Sequence, residues 1–386
     1  MRVYSIADHI ISPLGFGTDQ NFLALKKAQS GLREVDADEL FPEPFYGATI
    51  PKNQLLEQFD FEDPDKFSFL EKLFILSIRS VLQAVPGLHE KRLLLIISTT
   101  KGNIDLLKKD SRGLTGERIQ LAEMAKVVNH YFSIPHAPIV VSNACISGVS
   151  AMLTASKLIR MGMYDHVLVS GGDILSEFTL SGFHCLKAMS EEACRPYDQA
   201  RKGINLGESC GTVLLSNDTA LCSDKQALSV ISGGGQSNDA NHISGPSRTG
   251  KGLKIAIKQA LRTAGAGTAL PPEEIGYINA HGTATPFNDE MEAIAFHDLG
   301  LKDVPLNSLK AYFGHTLGAA GVIESIMAIR QMNHNLLFKS LGYEQHGVSM
   351  DMNVLKENKE VSELQYIMKT VSGFGGCNAA VIMEKV

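Results

Sequence analysis

Short β-branched runs and helical patterns alternate along this chain, and they do so twice. Arg92–Ser98 is a short apolar run suited to a buried strand. Ile139–Ser142 is another, and it leads into Cys145–Met161, where Val149, Met152, Leu153, Leu158 and Ile159 recur at helical spacing until Gly162 offers a stop. His166–Ser170 returns as a strand that ends in Gly171 and Gly172. Farther on, Ala227–Ile231, Ile275–Ala280, Gln365–Val371 and Ala379–Glu384 read as strands. Between them Gly250–Ala264, Phe287–Leu299 and Gly318–Met332 read as helices. Strands alternating with helices predict an α/β fold whose sheets are covered on both faces. The chain has 386 residues, too many for one small core. The similar order of its two parts predicts two halves, 1–225 and 226–386.

Composition narrows the function classes. A formal net charge of −6 gives no support to nucleic-acid binding. No apolar run approaches the roughly 20 residues of a membrane-spanning helix, so no membrane insertion is expected. The first residues, MRVYSIADHIISPLG, do not follow a signal-peptide pattern. Six cysteines (Cys145, Cys185, Cys194, Cys210, Cys222 and Cys377) form no C-x-x-C pair, which weakens zinc and dithiol readings. A chain of this size needs no disulfides, so a cytoplasmic, reducing location is expected, with most of the cysteines serving as small buried hydrophobes.

Four segments could carry chemistry. In Asn143–Gly148 a strand enters a small-residue turn and a helix begins near Cys145. A thiol at a helix N-terminus feels the positive end of the macrodipole, which favours the thiolate. Its backbone N–H is free to donate, so one residue could supply nucleophile and oxyanion donor. A buried structural cysteine would show the same local pattern. In Asn279–Thr285 a histidine, His281, ends a strand ahead of a tight turn. Alone, this reads equally as a loop histidine bonded to solvent. Asn288, Asp289 and Glu290 are placed to cap the next helix; a metal bound by His281 and Asp289 fits no standard spacing. In Asn307–Gly321 a second histidine, His315, opens a helix of very small residues. Lys310 and Glu324 flank it, and the apolar neighbours of Glu324 predict that the two pair in the interior. Ser372–Asn378 is dense in glycine and holds Phe374, placed as a gate or as part of a hairpin turn. Gly233–Gly235 lacks phosphate-loop spacing.

Together these segments resemble the elongating β-ketoacyl-acyl-carrier-protein synthases of the thiolase-like superfamily. The likeness also takes in Ile11–Gly15, Arg195–Asp198, Gly203, Gly207–Glu208, Gly211, Asp239–Ala240, His242 and Pro246. It implies a five-layer αβαβα fold of two duplicated halves and a homodimer. Its substrates would arrive on the phosphopantetheine of an acyl carrier protein, with no metal or other cofactor. By the same resemblance Cys145 takes the acyl chain as a thioester. The N–H groups of Cys145 and Phe374 form the oxyanion hole, and His281 and His315 promote malonyl decarboxylation. Lys310 and Glu324 hold the surrounding charges, Thr283 and Thr285 bond the pantetheine arm, and Phe374 gates the pocket. Lys66 and Lys72, in a helix predicted over Asp65–Ala84, resemble a carrier-protein docking face.

Three stretches depart from the family pattern. Thr370, Val371 and Ser372 replace an Asn-Ser-Phe stretch, Gly182–Cys194 is short, and Ser98–Gly102 lacks the usual glycines and contains Lys101. By resemblance all three lie near the acyl pocket, so they bear on substrate identity, ordinary fatty-acid elongation or a polyene- or polyketide-like pathway. Two alternatives stay open. One is a thiolase-type acyltransferase with Cys377 as second cysteine. The other is a catalytically silent chain-length partner, which the presence of Cys145 disfavours.

Overall fold

The computed structural model describes residues 1–36, 40–58, 64–86, 88, 92–107, 114, 116–265 and 267–386. Its main elements run β1 (Tyr4–Ser12), α1 (Phe69–Ala84), β2 (Leu93–Ser98), α2 (Leu121–Tyr131), β3 (Ile139–Val141), α3 (Ser147–Arg160), β4 (His166–Asp173) and β5 (Ser209–Ser216). The same succession follows as β6 (Ser229–Asn238), α4 (Lys251–Ala264), β7 (Ile275–Asn279), α5 (Pro286–Asp298), β8 (Leu306–Asn307), α6 (Ala320–Asn333), β9 (Tyr366–Gly373) and β10 (Cys377–Glu384). Strand order matches too. The first set lies β3-β2-β4-β5-β1 and the second β8-β7-β9-β10-β6. In each, the first three strands are parallel and the last two join antiparallel. β1 and β6 meet at Tyr4↔Val230 and Ser5↔Ser229, which makes the two sets one hydrogen-bonded path.

Helices fill three layers around this path. Leu70, Leu73, Phe74 and Ile78 of α1 pack on Leu95, Ile97, Leu168 and Leu214 at one outer face. Leu253 and Ile257 of α4, with Met291 and Phe296 of α5, cover Ile278, Met368 and Ile382 at the other. Between them Val149 and Met152 of α3 and Val322, Ile326 and Ile329 of α6 join strands of both halves in one core. The result is a thiolase-like αβαβα arrangement. α6 is buried on every side except at its last residue, and its polar Glu324, Arg330 and Gln331 are each paired in the interior. The two central helices touch at matching second residues. A Cβ on Gly148 would lie 2.7 Å from the Val322 nitrogen, and one on Gly321 would lie 2.4 Å from the Val149 nitrogen.

Several boundaries differ from the sequence pattern for identifiable reasons. α1 starts at Phe69, not Asp65, because Ser68 and Glu71 close a reciprocal capping box there. β6 runs on through Gly233–Gly235, whose missing side chains let α4 lie on the strand. A Cβ on Gly235 would be 2.1 Å from the Ala256 carbonyl oxygen. All six cysteines are free. Cys145, Cys194 and Cys210 are buried, Cys222 and Cys377 half-buried and Cys185 exposed, so burial holds for three of them. Among the described residues no helix is long and apolar enough to cross a membrane.

Candidate active site

Cys145 sits in the turn between β3 and α3. Ala144 before it holds a left-handed φ of 44°, a strained conformation for a residue with a side chain. Ser147 locks the turn by donating to the Ala144 carbonyl (2.6 Å) and accepting from the Asn143 N–H (2.8 Å). The thiol is buried, and the Phe374 N–H faces it closely enough to lower its pKa. Here the thiolate expectation fails. α3 begins at Ser147, two residues beyond the thiol. Burial pushes the Cys145 pKa up to about 11, against smaller downward pulls from Lys310 and the Phe374 N–H. Desolvation is the largest influence on the thiol and opposes the thiolate.

His281 comes from the turn after β7. Gly282 takes a φ of 45°, and a side chain there would meet Ser308 at 2.5 Å. Carboxylates of α5 hold the turn from behind. Glu292 accepts the N–H groups of His281 (2.8 Å) and Gly282 (2.7 Å), and Asp289 accepts that of Thr283 (3.0 Å). Asp289 therefore secures the histidine turn rather than capping its own helix, which has no side-chain cap. Tyr197 braces both acids, with its hydroxyl on Glu292 (2.9 Å) and its N–H on Asp289 (2.8 Å).

His315 follows Gly314, whose φ is 71°. Its backbone N–H donates to the Asn205 carbonyl at 2.7 Å. The Leu317 N–H donates to its Nδ1 at 3.3 Å, so the neutral ring carries its proton on Nε2. The two imidazoles lie 5.2 Å apart at 82°. The Cys145 sulfur and one nitrogen of each ring all fall within 4.8 Å of one another. Burial, then the Lys310 charge, pushes both rings well below the usual histidine pKa, with Lys369 adding to it and His315 also acting on His281. Buried Nδ1 of His281 and Nε2 of His315 have no hydrogen-bond partner among the described residues. Such atoms are costly unless a ligand uses them.

The predicted Lys310–Glu324 pair is present and fully buried. Thr283 and Thr285 lie at the same turn, their hydroxyls 2.8 Å apart. The Phe374 ring stacks at 5.4 Å on Phe183, from the short Gly182–Cys194 stretch. Cys377 stays outside the cluster and receives the Asn238 amide at 3.3 Å. Lys66 is exposed and Lys72 half-buried. Sequence reasoning missed Glu292 and Asp173, gave Tyr197 no role, and missed Lys369. Lys369 lies on β9, 2.6 Å from the second oxygen of Glu324. A lysine inside the apolar Tyr366–Val371 run was the available signal.

Models of the β-ketoacyl synthase N-terminal and C-terminal domains match residues 94–220 and 228–344. The 3-oxoacyl-[acyl-carrier-protein] synthase 2 of Vibrio cholerae is 32% identical over 262 residues, 64% of this chain and 62% of that protein. Its counterpart in Rhizobium meliloti is 32% identical over 285 residues, 70% of this chain and 66% of that protein. The matched part thus spans just under two thirds of each relative. A ketosynthase in complex with its chain length factor from Xenorhabdus doucetiae superposes with a TM-score of 0.84 at 25% identity, covering 100% of this chain and 98% of that one. A β-ketoacyl synthase from Burkholderia phymatum superposes with a TM-score of 0.83 at 22% identity, over 100% and 99%. With both domain models matched in order, and the cysteine supplied by one and the two histidines by the other, the chain belongs to the β-ketoacyl synthase family.

Proposed function

We propose that the chain is a β-ketoacyl-acyl-carrier-protein synthase that extends an acyl thioester by decarboxylative condensation. The observation that carries this reading is the buried cluster of Cys145, His281 and His315 with two unpartnered ring nitrogens. In the first step the Cys145 sulfur attacks an acyl thioester. The carrier thiol leaves with the cysteine proton, and the N–H groups of Cys145 and Phe374 receive the oxyanion. In the second, a malonyl thioester loses CO2, and negative charge builds on its thioester oxygen. Neutral imidazole N–H donors at the cluster are suited to stabilise that enolate. Its carbon attacks the acyl group on Cys145, which forms the β-ketoacyl product and returns the thiolate to be protonated. No cofactor is required by these steps. Thr283 and Thr285 are assigned to the pantetheine arm and Phe374 to the gate.

The acyl carrier protein is the proposed partner, with exposed Lys66 in its docking face. A second copy of the chain is proposed at β3, the end strand of the sheet, whose Ile139, Val140 and Val141 are each half-buried. An open apolar edge of this kind favours pairing. The Xenorhabdus relative, solved with a chain length factor, supports a heteromeric alternative. A silent-partner role for this chain itself is disfavoured by the complete cluster, and a thiolase role by the position of Cys377. The test is mass spectrometry of condensation with acyl primers of graded length and unsaturation, using wild type and Cys145→Ala. Product from wild type alone supports the reading, and the preferred primer names the pathway. No loading and no product, with or without a partner subunit, would move the silent-partner reading to the front.

A further inference from the structure

Glu324 is bracketed by two lysines. One carboxylate oxygen pairs with Lys310 and the other lies 2.6 Å from Lys369. All three side chains are essentially inaccessible to solvent. Lys369 also donates to the carbonyl oxygens of Ala280 (3.1 Å) and, more weakly, Asn279 (3.4 Å), the two residues that precede His281. A buried carboxylate needs one cation for neutrality. A second adds positive charge beside the rings that Glu292, acting more weakly on Lys369 than Glu324 does, offsets only in part, and such a charge is expensive in the interior. Such a charge is useful where an anion forms during the reaction, and the developing enolate is that anion.

We propose that Lys369 is a positioning residue of the condensation, tying Glu324 to the strand end that carries His281 and holding both imidazoles in the neutral, proton-donating form. This rests on the condensation reading. The groups that face the two rings and the lysine come from several elements. They are Glu324 on α6, Lys310 on the short Lys310–Phe313 helix, Glu292 on α5 and Cys145 ahead of α3. Asp289 with Arg201 and Tyr197 stands behind Glu292, and Asp173 reaches Cys145 from the end of β4. Of these, Lys310 and Lys369 lower the ring pKa values, and Lys369 does so from the opposite side of Glu324. Burial pulls Lys369 itself down to about 8, so its charge is present at neutral pH and lost as pH rises through that value.

The test is a titration of the His281 and His315 rings by NMR in the full chain with labelled histidine, in wild type, Lys369→Met and Lys369→Arg, without substrate. Removing a unit charge several ångströms away should raise the ring pKa values in Lys369→Met by about one unit. Lys369→Arg should keep them low. Malonyl decarboxylation should fall about tenfold in Lys369→Met, while acyl loading of Cys145 stays near wild type. Identical ring titrations in wild type and Lys369→Met would overturn the proposal. If Lys369→Met does not fold, wild type and Lys369→Arg are compared across pH 8. Malonyl decarboxylation that falls in wild type as Lys369 loses its charge, and holds level in Lys369→Arg, supports the proposal, and identical profiles overturn it. The titration needs no substrate, so a failed condensation assay would count against the condensation reading and leave the effect of Lys369 on the rings measurable.

Discussion

The turn after β2 and the turn after β7 occupy equivalent places in the two halves, and each is held by buried carboxylates. Asp173, at the end of β4, accepts the Thr99 hydroxyl (2.8 Å) and both the N–H and hydroxyl of Thr100 (2.9 and 3.0 Å). It also accepts the Gly318 N–H (2.7 Å), just ahead of α6, and so ties the first half to the second. In the second half Glu292 and Asp289 divide the work among His281, Gly282, Thr283 and Tyr197. The first turn presents no imidazole and ends in Lys101, whose charge reaches Cys145. The second presents His281. One backbone plan has therefore been given two tasks. On the proposed reading, the first half frames the nucleophile and the second supplies the hydrogen-bond donors for charge that develops later in the reaction.

The comparison can be broken most forcefully at Glu292. Glu292→Ala leaves the N–H groups of His281 and Gly282 and the Tyr197 hydroxyl unpaired in the interior. It should cost on the order of 5 kcal/mol in a denaturant titration and remove decarboxylation activity. The next effect is a pH slope. Burial holds Asp289 up to about 7 in the folded chain. Between about pH 4 and 7 the folded state thus keeps a proton that the unfolded state has released. Stability from this group is present below about pH 4 and is lost as pH rises through 7, by at most about 4 kcal/mol. Asp289→Asn should flatten that part of the stability profile, and an unchanged slope would remove Asp289 as its source. Asp173→Asn keeps one acceptor oxygen and should cost roughly 2 kcal/mol. It should slow acyl loading more than decarboxylation, the reverse of Glu292→Ala among molecules that remain folded.

The sequence shows the scaffold more readily than the electrostatics. Periodicity located α4, α5, α6, β7, β9 and β10 to within about two residues, because a mostly apolar α6 and a β-branched β7 follow from burial alone, and it gave no sign of the two-residue β8. The turns and small residues around Cys145, His281 and His315 singled those three out, and the apolar neighbours of Glu324 singled out its pairing with Lys310. Periodicity placed β6 short, because Gly233–Gly235 look like a break until α4 is laid against them. Local sequence reveals the helix start near Cys145 and not the depth of burial that pushes its thiol pKa up to about 11. Lys369 and Glu292 were missed for a related reason. Lys369 meets Glu324 from 45 residues away and Glu292 meets the His281 N–H from 11 residues away, and only the folded chain brings them together.

The division of labour between the halves is the central claim, and one paired assay tests it. Intact-mass detection of acyl loading and release of CO2 from a malonyl thioester would be measured on wild type, Cys145→Ala and His315→Ala. Cys145→Ala should lose loading and keep CO2 release, while His315→Ala should keep loading and lose CO2 release. Loss of both activities in both folded variants, or loss of neither, would contradict the account.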